Sequence, residues 1–173
     1  YEENMGIRDS KDGLETADLF EVKTSNGTSQ VFHLPEPVNS LWTEADGWKQ
    51  GDLMLFVSDR PREDGQDYHI KGWLWNQHLW GNTDVFVAFQ GDFGWERVVR
   101  LPPPINSPHP ERTPRLSQDG LTLWASQWVE GRGLDIVEFR REDPMDWEHW
   151  DGPFPLNELN TPFDDWGYSE SAN

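Results

Sequence analysis

Hydrophobic positions along the chain fall into short runs, not at the spacing of a helix face. The runs are DLFEV at 18–22, LMLFVSD at 53–59, DVFVAF at 84–89, RVVRL at 97–101, LTLWAS at 121–126 and LDIVEF at 134–139. Prolines and glycines interrupt the pattern at short intervals. Apolar runs of this length, rich in Val, Phe and Trp and bounded by turn residues, predict β-strands. Many short strands with turn signals between them predict an all-β domain, with a sandwich, a barrel and a propeller all left open.

The strand pattern also repeats. Segments 17–40, 83–107 and 134–161 align with one another. Each opens on an Asp followed by apolar residues (Asp18, Asp84, Asp135), and each closes on an Asn before Ser or Thr (Asn39, Asn106, Asn160). A second half-unit follows the Asn. Residues 43–59 match 113–127, with Ser58 opposite Ser126 and Asp46-Gly47 opposite Asp119-Gly120. Residues 161–171 begin a further copy. Asp-Gly suits a tight hairpin, because Gly accepts positive φ and Asp caps its own turn. The recurrent Asp and Asn are expected to bond backbone groups and pin the neighbouring strand. Recurrence itself marks these polar residues as structural.

The stretch PRLSQDGLTLWASQWVEGRGLDIVEF at 114–139, continued by NTP at 160–162, resembles the TolB-like, WD-repeat-like β-propeller repeat of bacterial envelope proteins. The resemblance extends over nearly all of the chain after about residue 14 and is closest in the second whole unit. It implies antiparallel four-stranded blades around a central channel. On that reading 1–40 ends one blade, 41–107 is a blade with an insertion, 108–161 is a second whole blade and 162–173 starts another. A closed propeller needs at least ~4 blades. The expectation is therefore a piece of a longer propeller, or else an open arc or an arc completed by a partner chain. The resemblance further implies a periplasmic or extracellular setting and a non-catalytic role among other protein subunits.

Composition narrows the function classes. The chain has 173 residues, with 32 acidic against 14 basic side chains and a formal net charge of −18. Phosphate contacts need clustered Lys and Arg, so nucleic acid is not an expected partner. Anionic membrane surfaces are disfavoured for the same reason. No apolar run approaches the ~20 residues of a membrane span. Eleven Trp and nine Phe make up for few aliphatic residues in a core. The chain has no Cys, so disulfides, thiolate nucleophiles and Cys-ligated zinc are excluded.

The segment that breaks the repeat is RPREDGQDYHIKGWLWNQHLWGN at 60–82. Its Tyr68, Trp73, Trp75, His78 and Trp80 are the candidate partner-binding residues, since clustered Trp suits interface hot spots and stacking on sugar rings. A loop that folds back and buries its own rings weighs equally, and a glycan ranks behind a protein partner. Asp67, His69 and His78 match no zinc spacing. Asp164-Asp165 lies in no known calcium loop. Neither a metal nor a cofactor is expected. SQDGLTLW at 117–124 resembles the sialidase Asp-box one residue short, and that box is a structural turn. NGT at 26–28 reads as a hairpin turn ahead of a glycosylation sequon. No catalytic residue is assigned. The alternatives to a scaffold are a carbohydrate-active or glycan-binding propeller and an exported sensor of a small ligand or calcium.

Overall fold

A computed structural model describes residues 17–61 and 83–169, together with the backbone of 73–75 and 78–80. The described residues are all-β, with no helix. A two-stranded sheet pairs β1 (Phe20–Ser25) with β2 (Thr28–His33). A four-stranded sheet runs in the order β3 (Glu44–Gln50), β4 (Leu53–Ser58), β7 (Asp84–Gly91), β8 (Gly94–Arg100). A second has the order β9 (Glu111–Leu116), β10 (Thr122–Val129), β11 (Gly133–Arg140), β12 (Asp151–Pro155). The short pair β5 (Trp73–Trp75) and β6 (His78–Trp80) lies between β4 and β7 in sequence. All pairings are antiparallel, so both large sheets are meanders.

The central strands carry the apolar runs. Leu55, Phe56 and Val57 on β4 and Val85, Val87 and Ala88 on β7 are fully buried. Alternation sends these side chains to opposite faces, so this sheet is buried on both. One core cluster joins Leu34 and Val38, in the segment that follows β2, to Met54, Phe56, Phe86 and Ala88 of the first large sheet. The other joins Leu55, Val57, Val85 and Val87 to Leu123, Ala125, Val137 and Phe139, between the two large sheets. At ~25 cal/mol per Å² of apolar area buried, this second cluster is the main hold between the two large sheets.

The register corrects two expectations. Ser58 pairs Glu44 and Asp84, whereas Gln127 pairs Glu111 and Asp135. The counterpart of Ser58 is therefore Gln127, one place from the expected Ser126, and a one-residue slip exchanges the two faces of a strand. Asp46-Gly47 does not form the hairpin. It lies inside β3, in a bulge opposite Phe56, and the turn is Gly51-Asp52, between paired Gln50 and Leu53. The matching bulge in β9 is Thr113-Pro114, opposite Ala125. Asp46 and Thr113 both take positive φ, 54° and 48°. A bulge re-aims a strand at the cost of one unpaired position, and here it recurs at the same place in both sheets.

Two turns follow their sequence signals. Asn26 and Gly27 join Ser25 to Thr28 with φ of 51° and 75°, the geometry of a tight I′ hairpin. Asp119 Oδ1 accepts from Ser117 Oγ at 2.6 Å and from Leu121 N at 3.0 Å, and these bonds hold its carboxyl below the usual range. Gly120 has φ of 75°, and a Cβ there would stand 3.3 Å from the Pro144 side chain. Gly120→Val is expected to destabilise the protein by about 1–3 kcal/mol, the cost of a strained left-handed residue. A thermal melt equal to the wild type's would refute that reading of the turn.

Candidate functional site

The recurrent polar residues build a joint that the chain uses three times. Asn39 Oδ1 accepts from Leu19 N, and its Nδ2 donates to Leu19 O and Leu34 O. Asn106 does the same with Val85 N, Val85 O and Leu101 O, at 2.6, 2.9 and 2.7 Å. Asn160 binds both backbone groups of Ile136. The carboxamide thus acts as one further residue of strand pairing. The residue it holds always follows the recurrent Asp (Asp18, Asp84 or Asp135). The Asp side chains meet side-chain bases. Asp18 pairs His33 at 2.6 Å, Asp84 takes a two-pronged bond from Arg100, and Asp135 meets Arg132 at 3.0 Å. The backbone pinning expected of the Asn is thus present at all three joints.

A second recurrent group was not singled out in the sequence. Four residues after Ser40, Ser107 and Thr161 stand Glu44, Glu111 and Asp165. Each acid accepts the backbone N–H and the hydroxyl of its Ser or Thr. Each also donates its own N–H to the residue before the recurrent Asp: Ala17, Thr83 or Leu134. The shared offset from the Asn-Ser and Asn-Thr pairs was the signal that could have revealed it. Asp164-Asp165, considered above for calcium, belongs here. Asp164 Oδ1 accepts from Leu134 N, and Asp165 closes the third joint.

The first two joints neutralise their buried acids differently. Beside Glu44, Arg60 donates to Glu44 Oε1 at 3.0 Å and to the carbonyls of Pro37 and Val38. Beside Glu111, Gln127 Nε2 reaches the corresponding carbonyls of Pro104 and Ile105. Burial pushes both carboxyls up, Glu111 well above the ordinary range; bonds from Ser40 and Ser107 oppose the shift at each, and at Glu44 the Arg60 charge opposes it as well. Glu111 Oε2 is buried and has no hydrogen-bond partner. The bulges add one more link: Asp46 Oδ2 accepts from Thr113 N at 3.0 Å, and Thr113 Oγ1 accepts from Gly167 N at 3.3 Å.

Loops rise from this frame. The loop 141–150 between β11 and β12 is organised by Arg141, which is nine-tenths buried. Its Nε donates to Gly120 O and its Nη1 to Asp146 O, while the guanidinium lies 4.1 Å from the Trp147 ring centroid and 4.5 Å from that of Trp150. Burial lowers its pKa to about 10, which leaves it charged at neutral pH. The loop borders a cleft of about 490 Å³ whose lining includes Glu142, Asp143, Glu148 and Asp151. His149 Nδ1 sits 2.8 Å from Asp146 Oδ2 there, and bonds from Glu148 N and His149 hold the Asp146 carboxyl low. Among the described residues no group of three or more His, Asp or Glu side chains is placed to hold a metal ion.

The candidate partner-binding residues lie largely outside the described part of the chain. Tyr68 is outside the described residues, as are Asp67 and His69, and of Trp73, Trp75, His78 and Trp80 only the backbone is described. In strand register Trp73 stands opposite Trp80, and Trp75 opposite His78. Where the first large sheet carries this insertion between its second and third strands, the second has the short turn 130–132. No helix among the described residues is long and apolar enough to cross a membrane. No family model, curated protein or solved structure matches the chain.

Proposed function

We propose that the chain is a propeller-type repeat protein whose sheets are successive blades, and that it works as a non-catalytic interaction subunit of a bacterial envelope assembly, in the periplasm. The observation that carries the reading is the threefold recurrence of the joint, with Asn39, Asn106 and Asn160 holding the same position of successive units. A frame whose recurrent polar groups are taken up by its own joints leaves recognition to loops that differ between units. The insertion 60–82 is the largest such difference and concentrates Trp, which suits a protein interface. The envelope setting rests on the resemblance of 114–139 to TolB-like repeats.

The test is a combined Trp73→Ala, Trp75→Ala and Trp80→Ala variant. It is expected to lose most co-purifying partner protein from cross-linked envelope fractions while melting like the wild type. Unchanged recovery of partners would remove the insertion as the interface. Recovery of bound glycan in place of protein would favour a carbohydrate-binding propeller.

A further inference from the structure

The insertion 60–82 leaves and rejoins the first large sheet where this unit makes bonds that the second unit lacks. At the entry, Asp59 Oδ1 accepts from Thr43 N at 2.8 Å, and Asp59 N donates to Thr43 O at 3.2 Å. Arg60 follows. Its backbone N and its Nε both donate to Ser58 Oγ. Its Nη1 donates to Pro37 O at 3.1 Å, and its Nη2 to Val38 O at 2.6 Å and Glu44 Oε1 at 3.0 Å. The guanidinium also lies 5.4 and 5.0 Å from the ring centroids of the buried Phe56 and Phe86. At the exit, Thr83 is buried. Its Oγ1 donates to Glu111 O at 2.7 Å, and its carbonyl accepts from Glu111 N at 2.9 Å. The entry is thus fastened to the joint of Asn39 and the exit to the joint of Asn106.

The second unit does without these fastenings. In register Trp128 stands for Asp59, Val129 for Arg60 and Leu134 for Thr83. Trp128 and Val129 extend β10, paired with Leu134 and Gly133, and the short turn 130–132 closes the hairpin. Leu134 has no hydroxyl to bond the next joint. The carbonyls of Pro104 and Ile105 are served by Gln127, an uncharged side chain within the strand. Satisfying such a joint therefore needs neither a cation nor a residue beyond the strand. Taking a guanidinium out of water is the costlier solution, and its planar, multiply donating head suits it to fix one orientation. Of the two four-stranded units, the one with the insertion carries this Arg, and carries it at the root of the insertion.

We propose that Arg60 is the positioning residue of the insertion. It locks the entry to one joint while Thr83 locks the exit to the next, and the segment between them meets its partner in one orientation. Anchorage on two different joints stops the segment from rocking about either one, and a pre-oriented segment has less freedom to lose on binding. The inference rests on the reading of the insertion as the recognition element and adds what sets its direction.

Spin labels test it. The chain has no Cys, so Asn76→Cys, between β5 and β6 in sequence, and Asp92→Cys, in the exposed turn after β7, place one label on the insertion and one on the frame. Pulsed electron–electron double resonance reads the distance between them. The labelled parent is expected to give a single narrow distribution. Ser58→Gln with Arg60→Val installs the second unit's residues at these two places, which serves the joint and releases the root. This double variant is expected to melt near the parent, to widen the distribution by roughly twofold or more, and to recover about tenfold less partner in the cross-linking assay. Gly120→Val is the control, since it lowers stability at the opposite end of the second sheet and leaves Arg60 in place; its distribution is expected to stay narrow. A broad distribution in the parent, or an unchanged one in the double variant, overturns the proposal. Equal broadening in Gly120→Val overturns it too, by tracing the effect to lost stability. So does full partner recovery by the double variant when the Trp73→Ala, Trp75→Ala and Trp80→Ala variant loses its partners. If that Trp variant keeps its partners, the reading of the insertion as the interface falls, and the label distances alone decide whether Arg60 positions it.

Discussion

Asn106→Ala is expected to lower the unfolding free energy by about 3–5 kcal/mol, since it strips three buried backbone groups of their partner at about 1–3 kcal/mol each. That is a large share of the about 5–15 kcal/mol that holds a typical domain folded. Val85 and Leu101, whose backbone groups it serves, are fully buried. Asn106→Asp keeps the shape and should do no better, because it turns a carboxylate oxygen toward two carbonyls. Asn160→Ala is expected to cost less, since that joint is partly open to solvent and its amide makes two such bonds. Urea unfolding of the three variants gives the ranking. Equal stability of Asn106→Ala and the wild type would mean that the carboxamide does not couple the strands.

Glu111→Gln is expected to raise the melting temperature by a few degrees at neutral pH, whereas Glu44→Gln is expected to lower it. Glu111 Oε1 takes all the hydrogen bonds from Ser107 and Gln127, and Oε2 takes none. A Gln amide can put its oxygen on the used side and its NH₂ on the idle side, and it removes the repulsion with Asp84 that helps raise the carboxyl. Glu44 uses both oxygens, with Ser40 N on Oε2 and Ser40 Oγ, Ser58 Oγ and Arg60 on Oε1. A Gln there opposes an N–H to an N–H and leaves the Arg60 cation without its counter-charge, a costly loss in a buried site. The pH dependence has a definite sign. A carboxyl whose folded pKa is raised gives its full stability below the ordinary Glu value of 4.5, and loses it as pH rises through the folded pKa. The wild type should therefore melt at lower temperature as pH climbs above that value, and Glu111→Gln should flatten the slope. An identical slope in both proteins would show that Glu111 ionises without penalty.

What could be read from the chain beforehand depended on what holds each strand in place. The strands β4, β7, β10 and β11 are central in their sheets, so burial demands the unbroken apolar runs that announce them. Strands β2, β3, β9 and β12 are first or last in their sheets and read TSQVFH, EADGWKQ, ERTPRL and DGPFP. Pairing on one side and prolines at the edge set their conformation, and neither leaves a hydrophobic period. The one-place error at Ser58 and Ser126 has a similar origin. Both serines follow an apolar run, and the bulge that fixes true register is a backbone event with Asp-Gly in one copy and Thr-Pro in the other. The Asn joints were visible because the same side chain recurs. Their acidic partners were hidden by a change from Glu to Asp and by a background of 32 acidic residues. The Arg141 loop had no precursor in the repeat at all.

The two ways of satisfying one pair of carbonyls have a bearing on how such a chain can change over generations. Arg60 lies two residues beyond Ser58, while Gln127 occupies the position of Ser58 itself. Copying β4 over β10 by unequal crossing-over would place Ser at 127. It would leave Val129 at the place of Arg60, with no side-chain donor to replace the lost amide, unless the two residues after Ser58 were copied as well. The reverse exchange would give Glu44 both a Gln and an Arg in one crowded corner. The two units are therefore not interchangeable at this corner: each satisfies its carbonyls with a donor at a different strand position, although their strand orders coincide.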